Sequence, residues 1–260
     1  MKKNQSILFI AIVSQFCSFL LTAGEKYSVN LILSPSYEKI GFRNRLIDNP
    51  FDAKLSYNFG VDYRYYIEPE ISFSAGLQFN KRGFRTHPTY KTSDGQVQDF
   101  DDAVVVISAN YLSLPFEIQY NFQPFFRTEI SLHTGLCYGY LVNQTFKGKR
   151  ISNEIQPSEE FLKGLEEKSK AINWFDKSYI GWIAGFSVSR AIKSRLVITV
   201  NPTYYRQLDR ALNPYGPVKE DSRDRNGNPV LINPKFDSFS LNLKLGYYFS
   251  DQIENTKKTL

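Results

Sequence analysis

Beyond Gly24 the chain gathers no apolar run long enough for a helix to cross a bilayer, yet it alternates apolar and polar residues with period two along much of its length. The clearest stretch sets Leu55, Tyr57, Phe59, Val61, Tyr63, Tyr65 and Ile67 against Ser56, Asn58, Gly60, Asp62, Arg64 and Tyr66. Successive side chains of an extended strand point to opposite faces, so one face of this segment suits lipid and the other water. Eight such stretches occur, approximately 26–34, 54–67, 71–84, 104–122, 126–142, 178–190, 195–208 and 236–249. The connections alternate between short, at Glu68-Pro69-Glu70, Gln123-Pro124-Phe125 and Ala191 to Ser194, and long, roughly 35–53, 85–103, 143–177 and 209–235. An even strand count with alternating turn length predicts an all-β fold: an eight-stranded antiparallel up-and-down transmembrane β-barrel with short periplasmic turns and long external loops.

A soluble β-sandwich or lipocalin also alternates, with its apolar face turned inward. The opposite face separates the two readings. Ser72, Ser74, Gly76, Gln78 and Asn80 form one row that is small or polar throughout, and Ser238, Ser240, Asn242, Lys244 and Gly246 form another. Such rows fit the narrow lumen of a small barrel, which leaves Ile71, Phe73, Leu77 and Phe79, or Phe239, Leu241, Leu243 and Leu245, to face lipid. The aromatic share of 15%, with 17 Tyr and 21 Phe, suits both strand propensity and interfacial girdles.

Met1-Lys2-Lys3 followed by the apolar run Ile7 to Leu21 and the small residues of Leu21-Thr22-Ala23-Gly24 reads as a secretory signal peptide over residues 1–23. The run is short of the roughly 20 residues a membrane anchor needs. The barrel domain then occupies 24–250, and 251–260 form a polar periplasmic tail. Removal of Lys2 and Lys3 with the leader lowers the net charge from +6 to +4, too diffuse to argue for a nucleic-acid partner. Cys17 lies in the leader, which leaves Cys137 alone and unable to form an internal disulfide.

The stretch Tyr111-Leu112-Ser113-Leu114-Pro115-Phe116-Glu117-Ile118-Gln119-Tyr120 resembles the hallmark strand of the PorT-like outer-membrane β-barrel family, through Tyr111, Leu112, Leu114, Pro115 and Tyr120. Gly135 to Tyr140, Gly181 to Gly185 and the ending Leu241 to Phe249 look like that family's later strands. The resemblance implies a bacterial outer-membrane location and a tie to protein secretion or surface-protein export. Independently of it, Pro115 cannot donate to a ladder and is expected to mark a bulge or local bend. One departure is that Ser250 to Leu260 follow the terminal aromatic Phe249.

Six ionisable residues fall on lumen positions: Asp62, Arg64, Glu117, Glu129, His133 and Lys244. Charge in a narrow low-dielectric interior is costly unless paired or hydrated, so a polar network filling the lumen is expected. Glu129, Ser131 and His133 share one face of one strand, an arrangement similar to that of outer-membrane lipid A deacylases. They look inward near the periplasmic end, away from outer-leaflet lipid. Asp94, Asp99, Asp101 and Asp102, and the segment Asp224-Arg225-Asn226-Gly227-Asn228, are acidic loop clusters better read as solvated charge and a tight turn than as cation sites. Ser158 as N-cap, with Phe161, Leu162 and Leu165, suggests a short helix over 157–168. No catalytic, metal or cofactor site is expected. The expected partners are outer-membrane lipid, the outer-membrane assembly machinery, and proteins at the external loops or periplasmic end. A non-enzymatic structural or interaction barrel is the leading reading, with a small passive pore second and a lipid A-modifying enzyme third.

Overall fold

The computed structural model describes residues 27–41, 51–86, 89–91, 97–99, 103–125, 127–150, 167, 175–209 and 235–249. Their strands are β1 (Tyr27–Gly41), β2 (Phe51–Asp52), β3 (Lys54–Tyr66), β4 (Ile71–Thr86), β5 (Thr89–Lys91), β6 (Val97–Asp99), β7 (Ala103–Phe125), β8 (Thr128–Arg150), β9 (Ser178–Ala191), β10 (Leu196–Gln207) and β11 (Lys235–Tyr248). Strands β1, β3, β4 and β7 to β11 form the barrel. Each pairs antiparallel with its chain neighbours, and β1 pairs with β11 to close the sheet. Closure satisfies every strand edge, which a sheet surrounded by lipid requires. The short strand β2 adds to the outer end of β4, and β5 pairs with β6 in a separate two-stranded ribbon.

The exterior carries the apolar rows. Leu33, Leu55, Phe59, Ile118, Leu132, Phe186, Ile198 and Leu243 are all exposed, whereas Ser34, Ser72, Ser113, Ser131, Ser187, Asn201 and Ser240 are buried. Tyr27 stacks on Phe249 near the end that carries the chain termini and short turns, at a ring-centroid distance of 4.7 Å. Farther along the wall, Phe59 packs against Phe79 at 5.2 Å. Such aromatic groups suit the two polar-apolar boundaries of a bilayer. Tyr63 and Ala75 lie on the outward face as cross-strand partners, yet they are buried by their neighbours.

Two strands run farther than the sequence pattern suggests. β1 continues past residue 34 through Pro35 to Gly41, and β8 past residue 142 to Arg150. In β8 the cause is a bulge. Asn110 pairs with Asn143 while Tyr111 pairs with Leu141, so Val142 has no partner. The extra residue puts Val142 and Asn143 on the exterior in succession and switches the inward parity, which turns Phe146 into the lumen. Period-two reading ends where the parity changes.

The bulge that redirects β8 is therefore at Val142, a second register shift of this ladder lies between Phe122 and Phe125, and none falls at Pro115, where a bulge or local bend is expected. Pro115 stays in register with Cys137 on β8, and the β4–β7 ladder keeps one register while omitting the Gly76 and Leu77 pairs. Pro35 interrupts β1–β11 between the Leu33–Leu243 and Ser36–Ser240 pairs in the same way. Pro202 does so in β9–β10 between Val200–Val188 and Thr203–Gly185. Each proline interrupts one ladder, lacking a hydrogen to donate, and leaves the other intact.

The signal peptide, the tail, Cys17, the 157–168 helix apart from Glu167, the Asp224 to Asn228 turn, and Asp94, Asp101 and Asp102 lie outside the described residues. Asp99 belongs to β6.

Candidate functional site

The inward rows of eight strands converge on one narrow interior, built as two storeys. In the half nearer the termini, Lys244 of β11 meets Asp62 of β3 at 2.5 Å, and the Asn30 amide donates to the same carboxylate at 2.5 Å. Arg64, two residues along β3, reaches Glu129 of β8 at 2.9 Å and donates from Nε to Ser72 Oγ at 2.9 Å and from Nη2 to Asn121. Its guanidinium also lies 4.7 Å from the centre of the Tyr66 ring. Tyr66 and Tyr248 share a hydroxyl–hydroxyl bond of 2.6 Å that closes this end. Four charges thus form two pairs, each with further hydrogen bonds, the arrangement in which burial of ions is tolerable.

His133 and Glu117 lie beside these pairs. His133 Nε2 lies 3.9 Å from the Glu117 carboxyl and 3.4 Å from Thr203 Oγ1. Ser131 donates to Glu129 at 3.2 Å, and that carboxylate is engaged by Arg64. Glu129, Ser131 and His133 share a strand face without forming a nucleophile–base pair: the serine binds the acid and the histidine binds a threonine on β10. The interior beside them leaves a void of about 10 Å³, lined by Asn30, Asp62, Arg64, Gln119, Lys244 and Tyr248 among others. That is room for about one water.

The second storey, toward the long loops, is built round an apolar cluster, with buried Glu38 and Gln207 at its side. Ile40, Phe84, Ile107, Phe146, Phe175 and Phe236 are buried together, with Phe175 5.9 Å from Phe84 and 6.1 Å from Phe236 between ring centres. Between the storeys lies Arg82, with its guanidinium 4.3 Å from the Tyr179 ring and 3.8 Å from the Tyr205 ring. The Tyr179 hydroxyl bonds Ser113 at 2.7 Å, and Cys137 Sγ lies 3.8 Å from the same hydroxyl. Small residues make these rings fit. A Cβ on Gly139 would come within 2.1 Å of the Tyr179 ring, and one on Gly181 within 2.0 Å of the Tyr205 hydroxyl.

Glu38, Lys54 and Arg82 are buried lumen charges that the sequence reading omits. Glu38 and Lys54 lie outside the residue spans assigned to clear alternation or at their margin. Arg82 continues the Ser72-to-Asn80 row and was legible by parity alone. The strand residues Tyr111, Leu112, Leu114, Pro115 and Tyr120 all lie on β7: Tyr111 and Pro115 point inward, Leu112, Leu114 and Tyr120 outward. The Tyr111 hydroxyl donates to the Asp176 carbonyl at 3.2 Å, and Pro115 packs over Gly76. Among the described residues, no three His, Cys, Asp or Glu side chains converge as a metal-binding group.

Among solved structures, the chain is similar to Neisserial surface protein A at 11% identity and a TM-score of 0.43, covering 85% of this chain and 96% of that one. It is similar to a major outer membrane protein from Thermus thermophilus at 11% identity and 0.42, covering 84% and 98%. It is also similar to Ail, the attachment invasion locus protein of Yersinia pestis, at 11% and 0.39, covering 85% and 99%. No curated protein matches its sequence. Residues 25–246 match the outer membrane protein beta-barrel domain. A closed eight-stranded barrel with an apolar exterior and a sequence that matches over nearly its whole length place this chain in the outer membrane protein beta-barrel domain family, in the bacterial outer membrane.

Proposed function

We propose that this protein is a non-catalytic outer-membrane scaffold that presents its external loops or periplasmic end to protein partners. The observation that carries this reading is the filled lumen. Among the described residues, paired ions occupy one half, aromatic rings gathered about Arg82 occupy the other, and the void beside the ion pairs has room for about one water. A barrel that neither holds a substrate nor conducts a solute offers its rim as its working surface. A role in protein secretion or surface export is part of the proposal, supported by the likeness of the Tyr111-to-Tyr120 strand to PorT-like barrels.

Two measurements test it. Purified protein in planar bilayers is expected to give no steady conductance, and reproducible large channels would promote the passive pore in its place. Crosslinking in native outer membranes is expected to recover a component of a protein-export apparatus. Recovery of the barrel-assembly machinery alone would overturn the secretion role.

A further inference from the structure

The outer wall over β4, β7 and β8 changes character abruptly. Cross-strand pairing places Phe79, Leu112 and Tyr140 in one exterior row. The next row toward the long loops is Lys81, Asn110 and Asn143, and the Asn110 amide donates to Asn143. Two rows farther, Arg85, Val106 and Lys147 are aligned, and Arg85 and Lys147 are exposed. On β4, β7 and β8 the row of Phe79 therefore ends the apolar band apart from the bulged Val142, and the cations stand at the height of lipid headgroups on the external side.

Their spacing is set by the sheet. Lys81 and Arg85 are four residues apart on one face of β4, about 13 Å along the strand, and Arg85 and Lys147 are two strands apart, about 10 Å. Lys81 rests 5.4 Å from the centre of the exposed Tyr57 ring, which directs its ammonium group along the wall at the band's edge. All three cations lie close enough to Lys54, which is buried and donates to Ser108 between their rows, to repel its ammonium group. Two carboxylates among the described residues stand nearby: Asp52 is the exposed cross-strand partner of Arg85, and Glu38 is the buried cross-strand partner of Lys54. The sector around β10 and β11 differs, because there Arg206 lies 3.9 Å from Asp237, which also accepts from the Tyr204 hydroxyl at 2.9 Å. Among the described residues, Arg206 is compensated by Asp237 on that side, and exterior cations outnumber exterior carboxylates on the β4–β8 side.

We propose that Lys81, Arg85 and Lys147 form a binding site for the phosphate groups of a phosphorylated glycolipid in the outer leaflet. Three cations spread over about 13 Å match a headgroup carrying separated phosphates better than one small anion. An aromatic ring at the acyl boundary beneath Lys81 suits an amphipathic ligand, whose chains would lie along the Phe79, Leu112 and Tyr140 row.

The test uses the folded full-length barrel in phosphatidylethanolamine nanodiscs and a fluorescent bis-phosphorylated lipid A as probe. The variant Lys81→Gln/Arg85→Gln/Lys147→Gln is expected to weaken binding by about fivefold per cation removed. Dephosphorylated lipid A should bind the unaltered protein with the same loss, and Lys81→Arg/Lys147→Arg should bind like the original. Arg206→Gln, in the compensated sector, is expected to bind within about twofold of the original. Folding of every variant is checked by the mobility shift between unheated and heated samples. Unchanged binding by the folded triple variant, or an equal loss in Arg206→Gln, would overturn the site. Competition by millimolar inorganic phosphate would reassign it to a free anion and would equally overturn the lipid assignment.

Discussion

Lys244 and Asp62 show how a single buried contact constrains this barrel. The pair is buried on both sides, and Asn30 completes the hydrogen bonding of the carboxylate. Removal of one partner strands the other charge in a medium that solvates it poorly. Lys244→Met is therefore expected to cost about 3–5 kcal/mol of folding stability, read from the urea midpoint of the folded-to-unfolded mobility shift. The double variant Asp62→Leu/Lys244→Met should regain most of that loss, because neither charge then remains to be solvated. Additive losses in the double variant would show that the two side chains are not energetically coupled. Gly139 and Gly181 constrain the interior in the opposite sense, by absence: each leaves the space that a tyrosine ring occupies.

Within the strands, the balance of the upper storey turns on Val142. With this residue unpaired, Phe146 points inward among Phe84, Ile107 and Phe175, and Lys147 points out beside Arg85 and Val106. Deletion of Val142 would remove the bulge, restore period-two alternation along β8 and leave Phe146 inward and Lys147 outward in the existing pairing with β7. The expected result is that a cysteine at Phe146, protected from water-soluble thiol reagents in the parent, stays protected in the deletion variant; a Cys137→Ser background removes the native thiol. Reactivity of that cysteine in the deletion variant would show that Val142 is not the extra residue of the ladder. The three prolines act differently. Pro35, Pro115 and Pro202 remove ladder contacts without moving the register, so pairing on either side holds the strands in place.

At the level of the whole barrel, the two storeys are, on the proposed scaffold reading, barriers in series. On that reading the apolar cluster of the upper one excludes water, and the side chains tied by charge in the lower one block passage. Opening either alone is not expected to create a channel. Phe84→Ser/Phe236→Ser should hydrate the upper interior and still give no steady current in planar bilayers. Current is expected only when Arg64 and Lys244 are also truncated, in barrels that still fold. Steady conductance from the phenylalanine variant alone would show that the ion-paired half is not a seal.

The eight-stranded closure, the faces of each strand and the inward placement of Asp62, Arg64, Glu117, His133 and Lys244 were legible in the sequence, because β geometry converts parity directly into inside and outside. Parity is a local property, and the signal fails where one residue is inserted. Phe146 could not be assigned inward without the Val142 bulge, and β1 beyond Pro35 alternates with too little apolar contrast to announce a strand. Which charges meet was also beyond the sequence. Arg64 binds Glu129 on a strand 65 positions later, and Lys244 binds Asp62 across the closing seam, 182 positions apart. Partners at such separations are set by the stagger of the closed sheet. The sequence by itself thus determined which residues of the regular strands enter the lumen; only closure decided which of them share a height, and therefore that two ion pairs fill one half while aromatic rings gather about Arg82 in the other.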